Sequence, residues 1–382
     1  MTLTVITEST RVSDPPGVSV THTVAVDRAP VSEFDISRRD GDGFIPAAQG
    51  YTYVDTFAFN ATEQPEDARP IRRYTWDFGD ETSSELVVPT HEYEAEGRYR
   101  IKLTVAFRHS ASRSSDSDLE VSSTNSLQVK PSIYDYVNFD DGCYSHSAAT
   151  AQSIMFGGEQ VATAYLVDNL TSQCWNPDDA VVDITRRWTH PVTIIVPENK
   201  VCDTAMLFID GGSRTSTAQV VDEMWQIAVL TGTTVVHLKN VPSQPIVFKD
   251  EIVPAGEQDN NSGRDLPLRA RTEDAIIAYS YDKYMDTYGS TGGHPDYSWP
   301  LLFPMVKSAV KAMDMTEEIL AEKGVALDGF VVTGASKRGW TTWLTGAVDS
   351  RVKGIAPIVI NVLNMQPHLT HHRDAYGYWS PA

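Results

Sequence analysis

The chain has 382 residues, of which 51 are Asp or Glu and 31 are Lys or Arg, so its formal charge at pH 7 is −20. This length predicts two domains, with room for a fragment of a third. The negative charge and the lack of a Lys/Arg cluster exclude a nucleic-acid partner. No apolar run reaches the roughly 20 residues of a membrane helix, and the first ten residues do not resemble a signal peptide. We therefore expect no membrane span.

The three cysteines, Cys143, Cys174 and Cys202, are too widely spaced for a zinc site. Two accounts remain open: free or buried thiols, which we favour, and a structural disulfide such as Cys143 to Cys174. Residues 40–43 (DGDG) resemble part of a calcium loop. The glutamate that ends such a loop is absent, so we predict a surface turn. We expect no metal and no cofactor.

Residues 1–132 are rich in Ser, Thr, Val, Asp and Arg and contain alternating stretches such as YRIKLTV at 99–105. This pattern predicts short antiparallel strands in an immunoglobulin-like, all-β sandwich. The segments YTWDFGD (74–80), HEY (91–93) and GRYRIKLTV (97–105) resemble the signature of a PKD (polycystic kidney disease-type) domain over about residues 28–130. The sequence departs at Glu81, where the family has a second glycine. We expect Trp76 to lie in the core.

A weak internal repeat links the start of the chain to this domain. LTV at 3–5 and THTVAV at 21–26 echo LTV at 103–105 and TNSLQV at 124–129. We predict that residues 1–27 are the tail of a preceding sandwich domain and pair poorly. The PKD-like sandwich then covers residues 28–131, and another domain covers residues 132–382.

From about residue 133, apolar strand-like runs alternate with amphipathic helical runs. This alternation predicts an α/β domain with a doubly wound parallel sheet. The predicted strands are 192–196, 205–209, 234–238, 330–333 and 355–360. The predicted helices are 218–230, 273–288, 304–322 and 340–348.

The stretch FVVTGASKRGWTTW at 330–343 places Ser336 between a strand and a helix. A serine on such a turn extends out of the sheet, and the amide after it can stabilise an oxyanion. The usual spacing is GxSxG, whereas here Arg338 takes the place of the second glycine and Gly339 follows it. An ordinary glycine-serine turn therefore remains the alternative to a nucleophile elbow.

Six colinear segments resemble the PhoPQ-activated pathogenicity-related protein family, an α/β-hydrolase-like group, over about residues 133–382. They are VPSQP (241–245), RTEDAIIAY (271–279), WPLLFPM (299–305), AVKAMD (309–314), GASKRGW (334–340) and IAPIVINVLN (355–364). The resemblance implies that Ser336 is the nucleophile. Gln244, Glu273, Asp274 and Trp299 also lie in these segments, but we predict no catalytic role for them.

Two backbone regions are candidate oxyanion donors. The first is the amide of Lys337, and the second is the turn at Gly211 and Gly212, which follows a predicted strand; a plain turn is the alternative. The side chains of Lys337 and Arg338 are unfavourable at a helix N-terminus. We favour an ion pair with a nearby carboxylate over a cationic lip that attracts an acidic substrate.

The catalytic acid and histidine should follow the nucleophile along the chain. The chain ends at Ala382, and we therefore predict a C-terminally truncated domain that is inactive as it stands. Asn361 stands where the family usually has an aspartate. The residues that do follow are candidates of low weight, together with Arg338: His368, His371, His372 and Asp374.

These observations predict an extracytoplasmic serine hydrolase that cleaves an ester or amide bond through an acyl-Ser336 intermediate. Its substrate would be a small molecule or a polymer-linked group, and the PKD-like domain would contact polysaccharide or protein. The alternative is a non-catalytic cell-surface binding or adhesion protein that uses the hydrolase fold as a scaffold.

Overall fold

The protein divides into two compact units, Met1–Ser132 and Ile133–Ala382. The structure, a computed structural model, describes the following residues: 2–8, 19–25, 33–40, 43–46, 49–51, 56–62, 64, 70–107, 119–251, 270–290, 296–360 and 364–378. The predicted turn at 40–43, the burial of Val24 and Val26, and Asn361 lie outside what the structure describes. No helix within these ranges is long and apolar enough to span a membrane.

The first unit is built from short strands. They are β1 (Thr2–Glu8), β2 (Ser19–Ala25), β3 (Phe34–Asp40), β4 (Gly43–Pro46), β5 (Gln49–Tyr51), β6 (Phe57–Ala61), β7 (Ile71–Asp77), β8 (Ser83–Ser84), β9 (Thr90–His91), β10 (Gly97–Phe107) and β11 (Leu119–Lys130). β1 and β2 form an antiparallel pair. The others form two sheets, in the orders β4-β3-β6-β9 and β5-β11-β10-β7-β8.

The predicted antiparallel pairing is confirmed for the ladders of these two sheets except one, since β5 pairs with β11 in parallel. The prediction that residues 1–27 pair poorly was wrong for β1 and β2, which form a ladder from Thr2 and Ala25 to Glu8 and Ser19, because two neighbouring strands can pair without further strands. Aromatic side chains from both sheets fill the core of this unit. Trp76 is fully buried, as predicted, and its ring packs edge-on against Phe34 at 5.1 Å between centroids. Its indole Nε1 donates to the carbonyl of Leu86 at 2.9 Å, so the one polar atom of the side chain is satisfied.

The second unit alternates strands and helices. Its elements are α1 (Ile133–Asn138), β12 (Ser145–His146), β13 (Thr150–Phe156), β14 (Glu159–Cys174), α2 (Asp183–Arg186), β15 (Arg187–Pro197), β16 (Cys202–Ile209), α3 (Asp222–Thr231), β17 (Thr233–Leu238), β18 (Ile246–Val247), β19 (Ala270–Arg271), α4 (Asp274–Ser290), α5 (Leu302–Glu322), β20 (Gly329–Ala335), α6 (Lys337–Val348), β21 (Val352–Ile358) and α7 (Met365–Tyr376).

The central sheet has the order β12-β14-β15-β17-β16-β20-β21, and β13 pairs with β14. β17, β16, β20 and β21 are parallel, as predicted, whereas the ladders among β12, β13, β14, β15 and β17 are antiparallel. The sheet is therefore mixed. Because the carboxyl ends of parallel strands meet at one edge, the segments that follow β16, β17 and β20 are brought together there.

Helices cover both faces of this sheet. Ile195 and Val235 pack with the α3 residues Met224 and Ala228 on one face. Their neighbours in sequence, Ile194 and Val236, point to the other face and belong to the core that includes α5. Helices therefore lie on both faces of the sheet, as a doubly wound arrangement requires. The predicted parallel pairing was wrong for the strand at 192–196, which lies in the antiparallel part of the sheet.

Element boundaries differ modestly from the predictions. α6 begins at Lys337 rather than Trp340, because the amide of Trp340 already donates to the carbonyl of Ser336 at 3.0 Å. β21 ends at Ile358 rather than at residue 360, and α3 begins at Asp222 rather than at residue 218. Spacing alone does not show where the first helical hydrogen bond forms.

The favoured free-thiol account was wrong for two of the three cysteines. Cys143 and Cys174 form a disulfide, with their Cα atoms 5.8 Å apart, and Cys202 is free. The pairing depends on the loop before β12 folding back onto the end of β14. There the amide of Cys174 donates to Asp141 Oδ2 at 3.1 Å, a long-range contact that cysteine spacing does not reveal.

Candidate active site

Ser336 occupies the turn between β20 and α6 with φ 57° and ψ −124°. A non-glycine residue at positive φ costs on the order of 1–3 kcal/mol and persists only where its surroundings hold it. The Ser336 amide donates to the carbonyl of Ile358 at 2.9 Å, which ties the turn to the end of the neighbouring strand β21. The residue is exposed. A strained, accessible serine at the carboxyl end of a parallel strand is compatible with the predicted nucleophile elbow.

The two glycines around Ser336 allow the turn to close. A Cβ on Gly334 would lie 2.9 Å from the Arg338 Cβ, so this position admits no side chain without movement. A Cβ on Gly339 would lie 2.3 Å from Ile360 Cγ2 and 3.0 Å from the carbonyl of Gly334. The second glycine thus stands where α6 packs against the turn and the following strand. This packing explains why its displacement by one position from GxSxG is compatible with the elbow.

The amide of Lys337 is the first of α6 and, like the other first-turn amides of a helix, has no intrahelical acceptor. It directly follows Ser336, where the helix dipole also favours negative charge. The position is therefore suited to a donor for an oxyanion.

The positive side chains after Ser336 are paired, as predicted. Lys337 Nζ lies 2.6 Å from Glu273 Oε2 and 2.8 Å from Asp274 Oδ1, and Arg338 Nη2 lies 2.6 Å from Glu273 Oε1. Arg338 Nε also donates to the carbonyl of Val241 at 2.6 Å. The ion-pair account is confirmed, and these contacts bring the start of α4 to the start of α6.

Gln244 completes a charge cluster that consists of Gln244, Glu273, Lys337 and Arg338. Its Nε2 donates to Glu273 Oε1 at 2.5 Å, and its Oε1 accepts from the Glu273 amide at 2.7 Å. Burial alone would raise the pKa of Glu273, but hydrogen bonds from Arg338, Lys337 and Gln244 outweigh burial and lower the pKa to about 2. Glu273 is therefore a carboxylate throughout the physiological pH range.

The glycine turn (residues 211–214) follows β16, the strand beside β20. Ile209 and Gly334 are paired in the ladder, so this turn and the Ser336 turn leave the sheet at the same level. The Gly211 amide donates to Asp210 Oδ1 at 2.7 Å and the Ser213 amide donates to Ser216 Oγ at 3.0 Å. Of the sequence-predicted pair, Gly211 is thus engaged within the turn. A Cβ on Gly211 would lie 3.0 Å from Arg338 Nη2, which shows how closely the turn approaches α6.

Gly212 has φ 142°, and a Cβ there would lie 2.8 Å from Ser216 Oγ. Its carbonyl accepts from Gln244 Nε2 at 2.8 Å, which connects the glycine turn to the charge cluster. A residue with a side chain would be strained at this φ and would clash, so the turn requires glycine here.

Arg214 ties the other end of the glycine turn to its surroundings. Its guanidinium donates to the carbonyls of Thr185, Arg187 at 2.9 Å, and Ser243 and Pro245 at 3.1 Å each. Burial lowers the pKa of Arg214 to about 10, so the group remains charged at neutral pH. The planar guanidinium of Arg214 therefore fixes this end of the turn through hydrogen bonds to backbone carbonyls.

Asp210 and His237 form a second pair at the carboxyl edge of the sheet. His237 Nε2 lies 2.9 Å from Asp210 Oδ2. Burial alone would raise the pKa of Asp210, but the hydrogen bonds from His237 and the Gly211 amide lower it. The pair holds the first residue of the glycine turn.

The histidines that follow Ser336 along the chain lie on α7. His368, His371 and His372 are all exposed, and Asp374 pairs with Arg373 at 3.6 Å. Within the described ranges, no hydrogen bond joins the Ser336 hydroxyl to a histidine. The structure therefore brings Ser336, Lys337, Arg338, Gly211 and Gly212 together, and it does not join the α7 histidines to them. No group of three His, Cys, Asp or Glu side chains suitable for a metal ion occurs among the residues described.

Sequence reasoning assigned no role to Gln244 or Glu273 and did not single out the Arg214 side chain. The sequence did indicate that a carboxylate lies near Lys337 and Arg338, because two cations at a helix N-terminus require a counter-charge. The sequence contains 51 acidic residues, and nothing in their spacing selects Glu273. The partner is set by the tertiary fold.

Comparisons with known proteins match each of the two units to a different family. A family model described as PhoPQ-activated pathogenicity-related protein matches residues 135–382, and one described as PKD domain matches residues 45–122. Autocrine proliferation repressor protein A of Dictyostelium discoideum is 34% identical over 249 residues, which are 64% of this chain and 44% of that protein. The chain thus spans less than half the length of this relative.

Two solved structures are similar at low identity. Acetyl xylan esterase 1 from Thermoanaerobacterium is 13% identical, covers 64% of this chain and 67% of its own, and has a TM-score of 0.35. The PKD1 domain of the Vibrio cholerae metalloprotease PrtV is 22% identical, covers 27% of this chain and 99% of its own, and has a TM-score of 0.19.

Proposed function

This chain belongs to the PhoPQ-activated pathogenicity-related protein family, and from that premise we propose that it is a serine hydrolase with Ser336 as nucleophile. The observation that carries the proposal is the strained, exposed conformation of Ser336 between a parallel strand and a helix N-terminus. Positive φ on a strand-to-helix turn is the conformation that lets a serine side chain extend out of the sheet, as a nucleophile there must.

In the proposed reaction, the Ser336 hydroxyl oxygen attacks the carbonyl carbon of an ester or amide, and its proton passes to a general base. The carbonyl oxygen becomes an oxyanion, for which the amides of Lys337 and Gly212 are the proposed donors. Collapse of this intermediate expels the alcohol or amine, which takes up the proton, and leaves acyl-Ser336. Water then releases the acid by the same steps. The base is proposed to be a histidine, because a serine hydroxyl is a weak nucleophile without an adjacent general base.

We also propose that the protein works outside the cytoplasm. The Cys143–Cys174 disulfide supports this, because stable disulfides are typical of oxidising compartments. The PKD domain is proposed as an accessory domain that contacts polysaccharide or protein.

A fluorophosphonate probe tests the nucleophile directly, because it reacts covalently with activated serines. We expect the full chain to be labelled at Ser336, as located by peptide mass spectrometry, and Ser336→Ala to lose the label. Ser350→Ala is the matched control, since Ser350 is an exposed serine of the same unit. It should keep the label.

Two outcomes would contradict the proposal. Undiminished labelling of Ser336→Ala would assign the reactivity to another residue. A folded full-length wild-type protein that takes no label and turns over no ester would favour the second candidate, a non-catalytic binding scaffold. The observation behind that candidate is that no histidine within the described ranges is hydrogen bonded to Ser336.

A further inference from the structure

Glu273 connects three segments that are distant in sequence. Its carboxylate contacts Lys337 and Arg338 on α6 and Gln244 in the proline loop (residues 241–245). Through Gln244, the same group reaches the carbonyl of Gly212 in the glycine turn. Lys337 and Gly212, whose amides are the two candidate oxyanion donors, are thus joined by one chain of hydrogen bonds that runs from the Lys337 side chain to the Gly212 carbonyl.

Every hydrogen bond of the Gln244 side chain has a fixed direction. Nε2 donates to Gly212 O at 2.8 Å and to Glu273 Oε1 at 2.5 Å, and Oε1 accepts from the Glu273 amide at 2.7 Å. Flipping the amide would place Oε1 against two acceptors and Nε2 against a donor. The side chain is therefore held in one orientation.

Glu273 is itself held in an uncommon conformation, with φ 51°. It stands immediately before α4, and its carbonyl accepts from the Ile276 amide at 3.1 Å. Positive φ in a residue with a long side chain costs free energy, and the contacts to Gln244, Lys337 and Arg338 are what this conformation makes available. The strained conformation is thus that of Glu273, the residue that contacts the other three members of the charge cluster.

We propose that Glu273 is a positioning residue that sets the separation between the Lys337 and Gly212 amides. This proposal rests on the proposed function, because it concerns the oxyanion site of the same serine. Glu273 acts through Gln244 on one side and through α6 on the other, and it does not contact the reacting atoms.

The glycine turn has other hydrogen bonds besides the one from Gln244. Asp210 and Ser216 accept from its amides, the Asn240 amide donates to the carbonyl of Gly211 at 2.9 Å, and Arg214 binds backbone carbonyls at its far end. The bond from Gln244 adds the connection to Glu273 and, through it, to Lys337. A displacement of about 1 Å at a catalytic group can cost roughly 10²-fold in rate. Because Glu273 and Asp274 neutralise Lys337 and Arg338, the contribution of the cluster is one of position rather than of net positive charge.

Two variants test the proposal, and one provides the control. Glu273→Gln keeps the shape but places an amide NH₂ among donors, and Gln244→Met removes the link to Gly212 while leaving the ion pairs of Glu273 intact. Glu251→Gln breaks the pair between Glu251 and Arg271, which stands just before Glu273 in the chain and bonds to Glu251 rather than to Gln244. Unfolding midpoints establish that each variant is folded.

The first readout is kinetic. For ester hydrolysis by the full-length protein we expect kcat of both test variants to fall by about 10²-fold, with KM changed by less than about 3-fold, because a misplaced oxyanion donor affects the transition state and not the bound substrate. The rate of fluorophosphonate labelling should fall in parallel. Because Glu273 is ionised over the whole range, the ratio between wild type and Glu273→Gln should be constant from pH 5 to pH 8.

The second readout does not depend on catalysis. Hydrogen exchange of peptides that contain residues 211–216 should be faster in both test variants and unchanged in Glu251→Gln. Equal exchange in all proteins would overturn the positioning role, even if Ser336 is labelled. Faster exchange together with an unlabelled, inactive wild type would instead overturn the Ser336 assignment and leave the control of the turn by Glu273 standing.

Discussion

The turn after β7 in the first unit and the turn after β20 in the second unit both follow a strand and both contain positive φ. In the first, polar groups are satisfied by near neighbours. Asp77 Oδ1 accepts from the Gly79 amide at 2.9 Å, and Asp80 Oδ1 accepts from the amide of Thr82 at 3.1 Å. His91 Nε2 lies 2.6 Å from Asp80 Oδ2, only 11 residues away in sequence.

In the second turn, the partners come from far along the chain. Lys337 and Arg338 bond to Glu273, 64 and 65 residues away, and Arg338 also bonds to the carbonyl of Val241, 97 residues away. These groups can be satisfied only after the sheet, α4 and the proline loop have assembled. The first turn is stabilised by residues that are near in sequence and by the core beneath it, whereas the second turn forms only when the whole unit has folded.

From this difference we expect the turn after β7 to lose its structure only when the core of the first unit is disrupted. The turn at Ser336 can lose its geometry while the second unit stays folded. The geometry of a site built from distant segments depends on the contacts of all of them. The following predictions test this contrast.

Trp76→Ala is expected to have the largest effect. The side chain is fully buried between Phe34 and Phe59, so its removal should lower the free energy of unfolding of the first unit by about 3–5 kcal/mol. This is a large share of the about 5–15 kcal/mol that a domain has. Hydrogen exchange of peptides from β7 and β10, measured against urea, would report it.

Arg73→Ala is the matched control on the same strand, because the Arg73 side chain is 49% exposed and its ion pairs are long. We expect a change within about 0.5 kcal/mol. A loss of less than about 1 kcal/mol for Trp76→Ala would mean that the motif does not depend on its core, contrary to the contrast drawn above.

The local character of the first turn explains why the sequence predicted so much of it. The residues WDFGD, HEY and the following strand carry their own turn chemistry and alternate apolar side chains, so Trp76 was correctly placed in the core. The single parallel ladder, between β5 and β11, could not be predicted because pairing partners depend on the whole sandwich.

The site of the second unit was only partly predictable for the complementary reason. The backbone position of Ser336 follows from a strand, small residues and a helix in sequence, and the need for a counter-charge follows from the cations after it. The identity of that counter-charge, Glu273, and the disulfide between Cys143 and Cys174 depend on which segments meet in space. Neither is encoded in local spacing.

The second unit should lose stability at a higher pH than the first unit. His190 is fully buried, with its Nδ1 3.0 Å from the carbonyl of Asn240 and its Nε2 3.0 Å from Ser172 Oγ, and burial lowers its pKa from 6.5 to about 4. The unfolded state therefore binds more protons between these values. The contribution of His190 is complete above about pH 6.5 and is lost as the pH falls towards 4, by about 3 kcal/mol in total.

The first unit should behave differently in the same window. For Asp80, burial would raise the pKa, but hydrogen bonds from Thr82 and His91 lower it below 3.8, so its contribution is lost only at still lower pH. Urea denaturation at pH 7, 5.5 and 4.5 should show the second unit losing stability first. His190→Asn should flatten this pH dependence, and an unchanged slope in that variant would assign the acid sensitivity elsewhere.

The smallest expected effects on stability are those of alanine substitutions at two glycines that occupy similar turns. Gly79 has φ 81° and Gly142 has φ 68°, and each amide donates to an aspartate two residues earlier, at 2.9 Å. The turns thus have the same local chemistry, one in each unit. They differ in packing, because a Cβ on Gly79 would lie 2.8 Å from the carbonyl oxygen of Arg100, whereas a Cβ on Gly142 would have nothing within 4 Å.

Gly142→Ala should therefore cost only the left-handed conformation, about 1 kcal/mol. Gly79→Ala should cost the same plus a clash with the backbone of β10, which cannot move as a flexible side chain does, adding about 1–2 kcal/mol. Urea denaturation of both variants measures the difference. Equal losses would show that β10 does not hold the first turn, and its stability would then rest on the aspartate hydrogen bonds alone. A larger loss at Gly79 would show that even the local turn depends on one distant strand, so that the contrast with the Ser336 turn is one of degree.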